Sequence, residues 1–457
     1  MSEPAAIIEA MRQAVPPGKA RLSDCDASAL RDLTAALMTA RPHAASEYQR
    51  FLAIASRSLS LPEEQIGARL RGATILVTGG TGCIGSMLIA QLARYRPARV
   101  VSVSRGVTGA VRRHEGVEYR NADVTDRVAT ERMVGGVRPD VVFHVAAQRS
   151  PGLAESEVRR TVSTNVLGVR NILAAASGAG TRQVVLASTG KALRPYSPEV
   201  YTASKRAAEW IAATVAASGE VTCSAARFTH VIDNSIIHGR LLDWAAAQAE
   251  GATLIGAGTA IRLHSADTAF YAQSALESAQ LLLIAMMGAV PGEFRVNAIT
   301  DLGWPVGLLD VALGVLAATH SRTPVYISGY DPGYEEVPFP GLYDPATAGD
   351  VSPLLNAFET AALTTNPFPM VDAFRLEMAA DPAVPKLLAS VESACDRGLG
   401  DDAIRQALDD LSWSLLDATL ATAPPDALAR CARLIRPYEN VISPTHMRIL
   451  RAIKAHA

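Results

Sequence analysis

Short runs of β-branched apolar residues alternate with longer stretches of helical spacing through the middle of the chain. Strands are predicted at residues 74–78, 100–104, 117–120, 141–146, 183–188, 222–228 and 294–297, where Val, Ile, Thr and Phe recur. Helices are predicted between them, near residues 83–95, 125–134, 155–177, 199–217, 235–250 and 271–287. This alternation indicates an α/β fold with a parallel sheet covered by helices. The flanks read differently. Leu30, Leu33 and Leu37 fall at helical spacing behind Ser23 as a candidate cap, and a second helical run from Ser46 to Arg71 breaks near Leu61-Pro62. A Pro-, Gly- and Tyr-rich stretch from Tyr330 to Gly341 marks a boundary, and residues 345–457 are helical in pattern with proline breaks. The expected organisation is an N-terminal helical extension over residues 1–70, a central domain over 71–330 and a C-terminal helical extension over 331–457. The two arms are expected to pack into one accessory lobe.

Composition narrows the class. With 457 residues, 49% hydrophobic and 19% charged, the chain can bury a sizeable core. A net charge of −2 supplies no basic field for nucleic acid or an anionic membrane surface. The apolar run at Ala5–Ile8 lies between Glu3 and Glu9 and does not read as a secretion signal. Leu281 to Val290 is the most apolar run, well short of the ~18 residues of a membrane span. Five scattered cysteines without a C-x-x-C pair fit reduced thiols in a cytoplasmic protein, and give no metal-ligand pattern.

The strongest chemical signal is Thr78-Gly79-Gly80-Thr81-Gly82-Cys83-Ile84-Gly85, between the first predicted strand and a helix. Gly79 permits the tight turn, Gly82 lets the backbone approach a pyrophosphate, and Gly85 lets helix and strand pack closely. Thr81, Cys83 and Ile84 present backbone N–H groups at the helix start. The turn makes the sheet a Rossmann-type, doubly wound one. Tyr201 and Lys205 lie four residues apart on one helical face, where a lysine cation favours the phenolate of a general base. Lys205 can also bind a nicotinamide ribose. Thr189, at the end of the fifth strand, can hold the substrate oxygen. The second strand ends Ser104-Arg105, without the carboxylate that binds a ribose 2′-hydroxyl, so the cofactor expected is NADP rather than NAD.

These pieces resemble the extended short-chain dehydrogenase/reductases, and most of all the polysaccharide-biosynthesis branch with its inverting UDP-N-acetylglucosamine 4,6-dehydratases. The resemblance runs from about residue 70 to 315 and marks residues 71–330 as the NADP-binding and substrate domain. Asn121-Ala122-Asp123-Val124 resembles the adenine-contacting turn, Phe143-His144-Val145-Ala146-Ala147 the strand lining the cofactor, and Thr164-Asn165-Val166-Leu167-Gly168 the family's helix motif. The resemblance therefore adds Asp123, Val124, Ala146, Ala147 and Asn165 to the cofactor site. It makes Lys191 the base that removes a proton beside the ketone, and it implies a nucleotide-sugar substrate and a homo-oligomer. His144 reads as a buried strand histidine.

Departures from the family pattern cluster at the substrate side. Gly190 stands where related dehydratases carry an Asp that protonates the leaving hydroxyl, and the spacing from Lys191 to Tyr201 is two residues longer. Arg149 and Ser150 replace part of a Lys-His-Val stretch, His230 follows the sixth strand in place of Asn, and Ala269 replaces Arg. Arg149, Ser150, His230 and Asn234 are the expected substrate contacts. The resemblance implies an atypical nucleotide-sugar 4,6-dehydratase or epimerase. An NADP-dependent reductase or dehydrogenase on another small molecule and a non-catalytic cofactor-binding scaffold stay open as alternatives.

Overall fold

The computed structural model describes residues 2–106, 113–234, 237–246, 260–334, 350–376, 383–435 and 444–456. Two compact units interleave along the chain. The first gathers Met1–Arg57, His230–Ala275 and Gly303–Pro338, and the second gathers Ser58–Thr229, Leu276–Leu302 and Phe339–Ala457.

The second unit is built on a nine-stranded sheet. Strands β1 (Thr74–Thr78), β2 (Arg99–Ser104), β3 (Val117–Asn121), β4 (Val141–His144), β5 (Gln183–Thr189) and β6 (Thr222–Phe228) run parallel in the order 3-2-1-4-5-6. Both faces are covered, so Ile75, Leu76, Val142, Phe143, Val184 and Val185 are fully buried, which explains their continuous apolar runs. Connections leave in opposite directions from β1 and β4, and the crevice that opens between their carboxyl ends is where such sheets bind ligands.

Beyond β6 the sheet continues with Arg295–Ile299, parallel to β6. The pattern beyond residue 345 predicted helices alone, but two antiparallel strands lie there. Val371–Arg375 pairs with Arg295–Ile299, and Leu363–Thr364 pairs with Val371–Arg375. Closing the edge in this way buries Val371, Ala373 and Phe374 and satisfies backbone groups that an open edge leaves unpaired. Helices Ala383–Asp396, Asp401–Thr422, Pro425–Ile435 and Pro444–His456 complete this arm. Their apolar faces enclose Leu193 and Tyr196 with Leu416, Leu420, Leu428, Ile435 and Leu450.

The expected single helix near 155–177 is interrupted. Pro151–Ser156 and Val158–Val162 precede a π-helical turn, Ser163–Leu167, which leads into Gly168–Gly178. Such turns concentrate at functional sites because the extra residue redirects a side chain. Of the helix expected near 235–250, His238–Ala246 is described, and the rest lies outside the described residues, as does the Pro-rich stretch beyond Tyr334.

The first unit contains the N-terminal arm as far as Arg57. Ser23 caps Asp24–Ala40 through a reciprocal capping box with Asp26. Ala44–Ala53 packs against Leu308–Thr319 so closely that a Cβ on Gly314 would lie 2.2 Å from the Tyr48 Cβ. Arg41 clamps Asp310 with two hydrogen bonds of 2.8 Å. Residues 1–57 fall in the first unit and residues 339–457 in the second. Among the described residues, no helix is long and apolar enough to cross a membrane.

Candidate active site

The glycine turn closes β1 onto the helix Cys83–Ala93, whose first turn carries Cys83 and Ile84 behind Gly82. Gly79 has φ +71°, and a Cβ there would lie 2.7 Å from the backbone nitrogen of Ala146. At Gly85 a Cβ would meet the Gly79 carbonyl oxygen at 2.3 Å. Both positions exclude every side chain and leave a backbone-lined cradle. Thr81 donates its hydroxyl to Ser104 at 2.9 Å, tying the turn to the end of β2. Thr78 accepts from the Ala146 backbone at 3.3 Å, which fixes the start of the segment after β4 beside the turn. These residues fit a dinucleotide: the cradle for its pyrophosphate, Ser104 and Arg105 at one ribose, Ala146 and Ala147 along its length.

Beside the end of β2, a cleft of about 510 Å³ is lined by Arg105, Asp123, Arg159, Arg160, Thr164 and Asp401, among others. Asp123 accepts from the Thr125 backbone at 3.0 Å, so its turn is locally fixed, and the neighbouring Val124 is buried against Gly168. Arg159, Arg160 and Asp401 carried no signal in the sequence. They reach the cleft through the interrupted helix and the C-terminal arm.

At the other end, Thr189 closes β5 and Tyr201 sits in the first turn of Val200–Ser218. Burial pushes the Tyr201 phenol above its usual value, while the neighbouring Thr189 hydroxyl and the positive charge of Arg149 act against the rise. Lys205, 5% exposed, donates its ammonium to the Ala187 carbonyl at 2.6 Å. Burial lowers its pKa to about 8 against the opposing pull of Glu209. Asn165, in the π turn, is buried and holds the Gln148 backbone from both sides at 2.8 and 3.0 Å and the Ser204 hydroxyl at 3.1 Å. It therefore links the segment after β4 to the helix bearing Tyr201.

The predicted substrate residues divide. Ser150 caps Pro151–Ser156, and Arg149 is exposed. Lys191 is ion-paired with Glu199 at 3.4 Å. Glu199 also accepts from Arg194 at 3.2 Å and from the Thr202 hydroxyl at 3.0 Å. His230 and Asn234 belong to the first unit, where His230 is exposed and its ring lies 4.6 Å from that of Phe270, and Asn234 ends a 3₁₀ turn.

Sequence reasoning missed a buried network behind β5. Ser188 donates to Glu209 at 2.5 Å, and Glu209 binds Arg227 at 2.8 and 3.0 Å. Arg227 in turn binds Glu359 of the C-terminal arm at 2.7 and 2.8 Å. The insertion between Lys191 and Tyr201 is anchored to the same arm, since Tyr196 donates to Asp409 at 2.7 Å and stacks on Trp413.

Comparison with known proteins agrees with this geometry. Residues 75–280 match the NAD dependent epimerase/dehydratase family. The probable polysaccharide biosynthesis protein EpsC of Bacillus subtilis is 28% identical over 62% of this chain and 47% of its own length. The inverting UDP-N-acetylglucosamine 4,6-dehydratase of Campylobacter jejuni is 29% identical over 35% of this chain and 50% of its own. The chain thus spans about half the length of the curated relatives it matches. The X-ray structure of Pen from Bacillus thuringiensis shares the fold, with a TM-score of 0.56 at 19% identity over 68% of this chain and 90% of that one. The glycine cradle and the strand order agree with the match of residues 75–280 to the NAD dependent epimerase/dehydratase family.

Proposed function

We propose that the chain is a nucleotide-sugar-modifying enzyme of the dehydratase/epimerase type, which oxidises a sugar hydroxyl transiently and returns the hydride within the same site. The observation that carries this reading is Lys205, one helical turn beyond Tyr201, bonded back to Ala187 at 2.6 Å on the strand that ends in Thr189. A bound nicotinamide dinucleotide supplies the acceptor and donor of hydride. Thr189 holds the substrate oxygen. Tyr201 takes its proton as hydride leaves the same carbon, and gives the proton back when hydride returns. Lys205 supplies the positive charge that favours the phenolate. The relatives named for polysaccharide biosynthesis and for UDP-N-acetylglucosamine dehydration support a nucleotide sugar as the substrate class.

Within this reading the cofactor is NADP. Ser104 and Arg105 end β2 without a carboxylate, and Arg159 and Arg160 share the adjoining cleft with Arg105. The same reading takes the enzyme as a cytoplasmic homo-oligomer, the latter to be tested by light scattering. Incubating the full chain and its Tyr201→Phe variant with UDP-N-acetylglucosamine, UDP-glucose and dTDP-glucose, with NADP in trace amount, tests the central step. Wild type is expected to turn over many times per NADP, and the variant roughly 10²–10⁴-fold more slowly. Equal rates would remove Tyr201 from the mechanism.

A reductase or dehydrogenase acting on another small molecule is the second reading. It is favoured by the ion pair that engages Lys191, because it needs only Thr189, Tyr201 and Lys205. Stoichiometric consumption of NADP would select it.

A further inference from the structure

We propose that Leu354 sets the outcome of the reaction. Its side chain takes the place between Thr189 and Lys191 where a proton donor for a leaving hydroxyl would stand, and so commits the site to oxidation and reduction without loss of water. This inference rests on the nucleotide-sugar reading above.

Gly190 follows Thr189 and opens the 3₁₀ turn Gly190–Leu193. A Cβ at this position would lie 2.6 Å from Leu354 Cδ2, 3.4 Å from its Cγ and 3.5 Å from the Phe228 carbonyl oxygen. Backbone strain gives no reason for the glycine, since its φ lies outside the left-handed region. Close packing does. Leu354 is 3% exposed, and its backbone is held from both directions. Its carbonyl accepts from Arg227 at 3.0 Å and its nitrogen donates to Ser352 at 3.2 Å. Two residues on, Asn356 donates its amide to the Leu193 carbonyl, which ties the C-terminal segment to the far end of the same turn. The Leu354 side chain can leave the space only by repacking among buried neighbours.

Elimination of water beside a ketone needs two groups. A base removes the proton on the adjacent carbon, and an acid protonates the departing hydroxyl. A glycine faced by a leucine supplies no proton. The nearest carboxyl along the chain, Glu199, already receives Lys191, Arg194 and Thr202. Those donors converge on its Oε2 and favour the charged carboxylate over a proton-bearing one, and the ion pair engages the amine that elimination would use as base. Oxidation and return of hydride require neither group. With a nicotinamide dinucleotide bound to accept and give back the hydride, Tyr201 would take up and return the hydroxyl proton, and hydride given back to the opposite face of the carbon would yield an epimer that keeps every atom of the substrate.

The test uses the full chain with NADP and the same three nucleotide sugars, comparing wild type, Gly190→Ala, Leu354→Ala and the double variant. Thermal melting reads the steric relationship: the loss in the double variant is expected to be smaller than the sum of the two single losses. Additive losses would overturn the placement of Leu354. Mass spectrometry of the sugar reads the chemistry. A product of unchanged mass from the wild type that chromatography resolves from the starting sugar supports the inference, and a product lighter by one water overturns it while leaving the nucleotide-sugar reading intact. Failure of every sugar to react with the cofactor-loaded enzyme would overturn both.

Discussion

Lys205 gives its ammonium to the carbonyl of Ala187 at 2.6 Å, from one helical turn beyond Tyr201. The contact anchors the lysine to β5, so the strand that ends in Thr189 also holds Lys205 in place. It also fixes the charge in a buried place, where the ammonium is costly.

That cost has a kinetic signature. Burial lowers the Lys205 pKa to about 8, so the cation that favours the Tyr201 phenolate is lost as pH rises through that value. The turnover rate is expected to decline on the alkaline side of about pH 8. A profile that keeps climbing to pH 10 would contradict this role for Lys205.

His144 gives a second pH dependence, in stability. Burial lowers its pKa from 6.5 to about 3, and its Nδ1 is bonded to Thr78 at 2.8 Å. The unfolded chain therefore binds a proton at pH values where the folded chain does not. Stability present above pH 6.5 is lost as pH falls toward 3, by a few kcal/mol in all. Urea denaturation at pH 7 and pH 4 is expected to show a smaller loss for His144→Gln than for wild type. Equal losses would assign the acid sensitivity to other groups.

Cofactor selection turns on Arg105. A charge-assisted bond to a 2′-phosphate contributes about 1.5–3 kcal/mol, or roughly a 10- to 100-fold change in affinity. Arg105→Ala is expected to weaken NADP by that factor and to leave NAD nearly unchanged, as read by calorimetry. A uniform loss for both cofactors would show that Arg105 does not read the phosphate.

The buried network makes the C-terminal arm part of the catalytic unit. Arg227, Glu209 and Glu359 are all nearly inaccessible to solvent, so removing one partner strands the others. Glu359→Gln is expected to cost about 3–5 kcal/mol of stability and to expose the C-terminal segment to limited proteolysis. Unchanged denaturation and cleavage would mean that the arm is held by its apolar contacts alone.

Much of this was legible in the sequence, for identifiable reasons. Strands β1, β4 and β5 announce themselves because a sheet covered on both faces demands continuous apolar runs such as Ile75-Leu76-Val77. The glycine turn is legible because Gly79 and Gly85 sit where any Cβ would strike backbone. The edge strands at 363–364 and 371–375 were not, since one has two residues and the other follows Pro367 and Pro369 closely. Their stability comes from the sheet edge that they join, not from local pattern. Nor could the sequence relate Gly190 to Leu354 or Lys191 to Glu199. The first pair depends on a tertiary contact, and the second on an insertion whose path is set by Tyr196 binding Asp409.

The most direct test of the central claim is to give the full chain one equivalent of NADP and a large excess of nucleotide sugar, following the nicotinamide absorbance and the sugar together by NMR. The account predicts many turnovers with no accumulation of reduced cofactor, and near-complete loss of turnover in Tyr201→Phe. Reduced cofactor accumulating one-for-one with product, or a sugar left unchanged while NADP is bound, would contradict it.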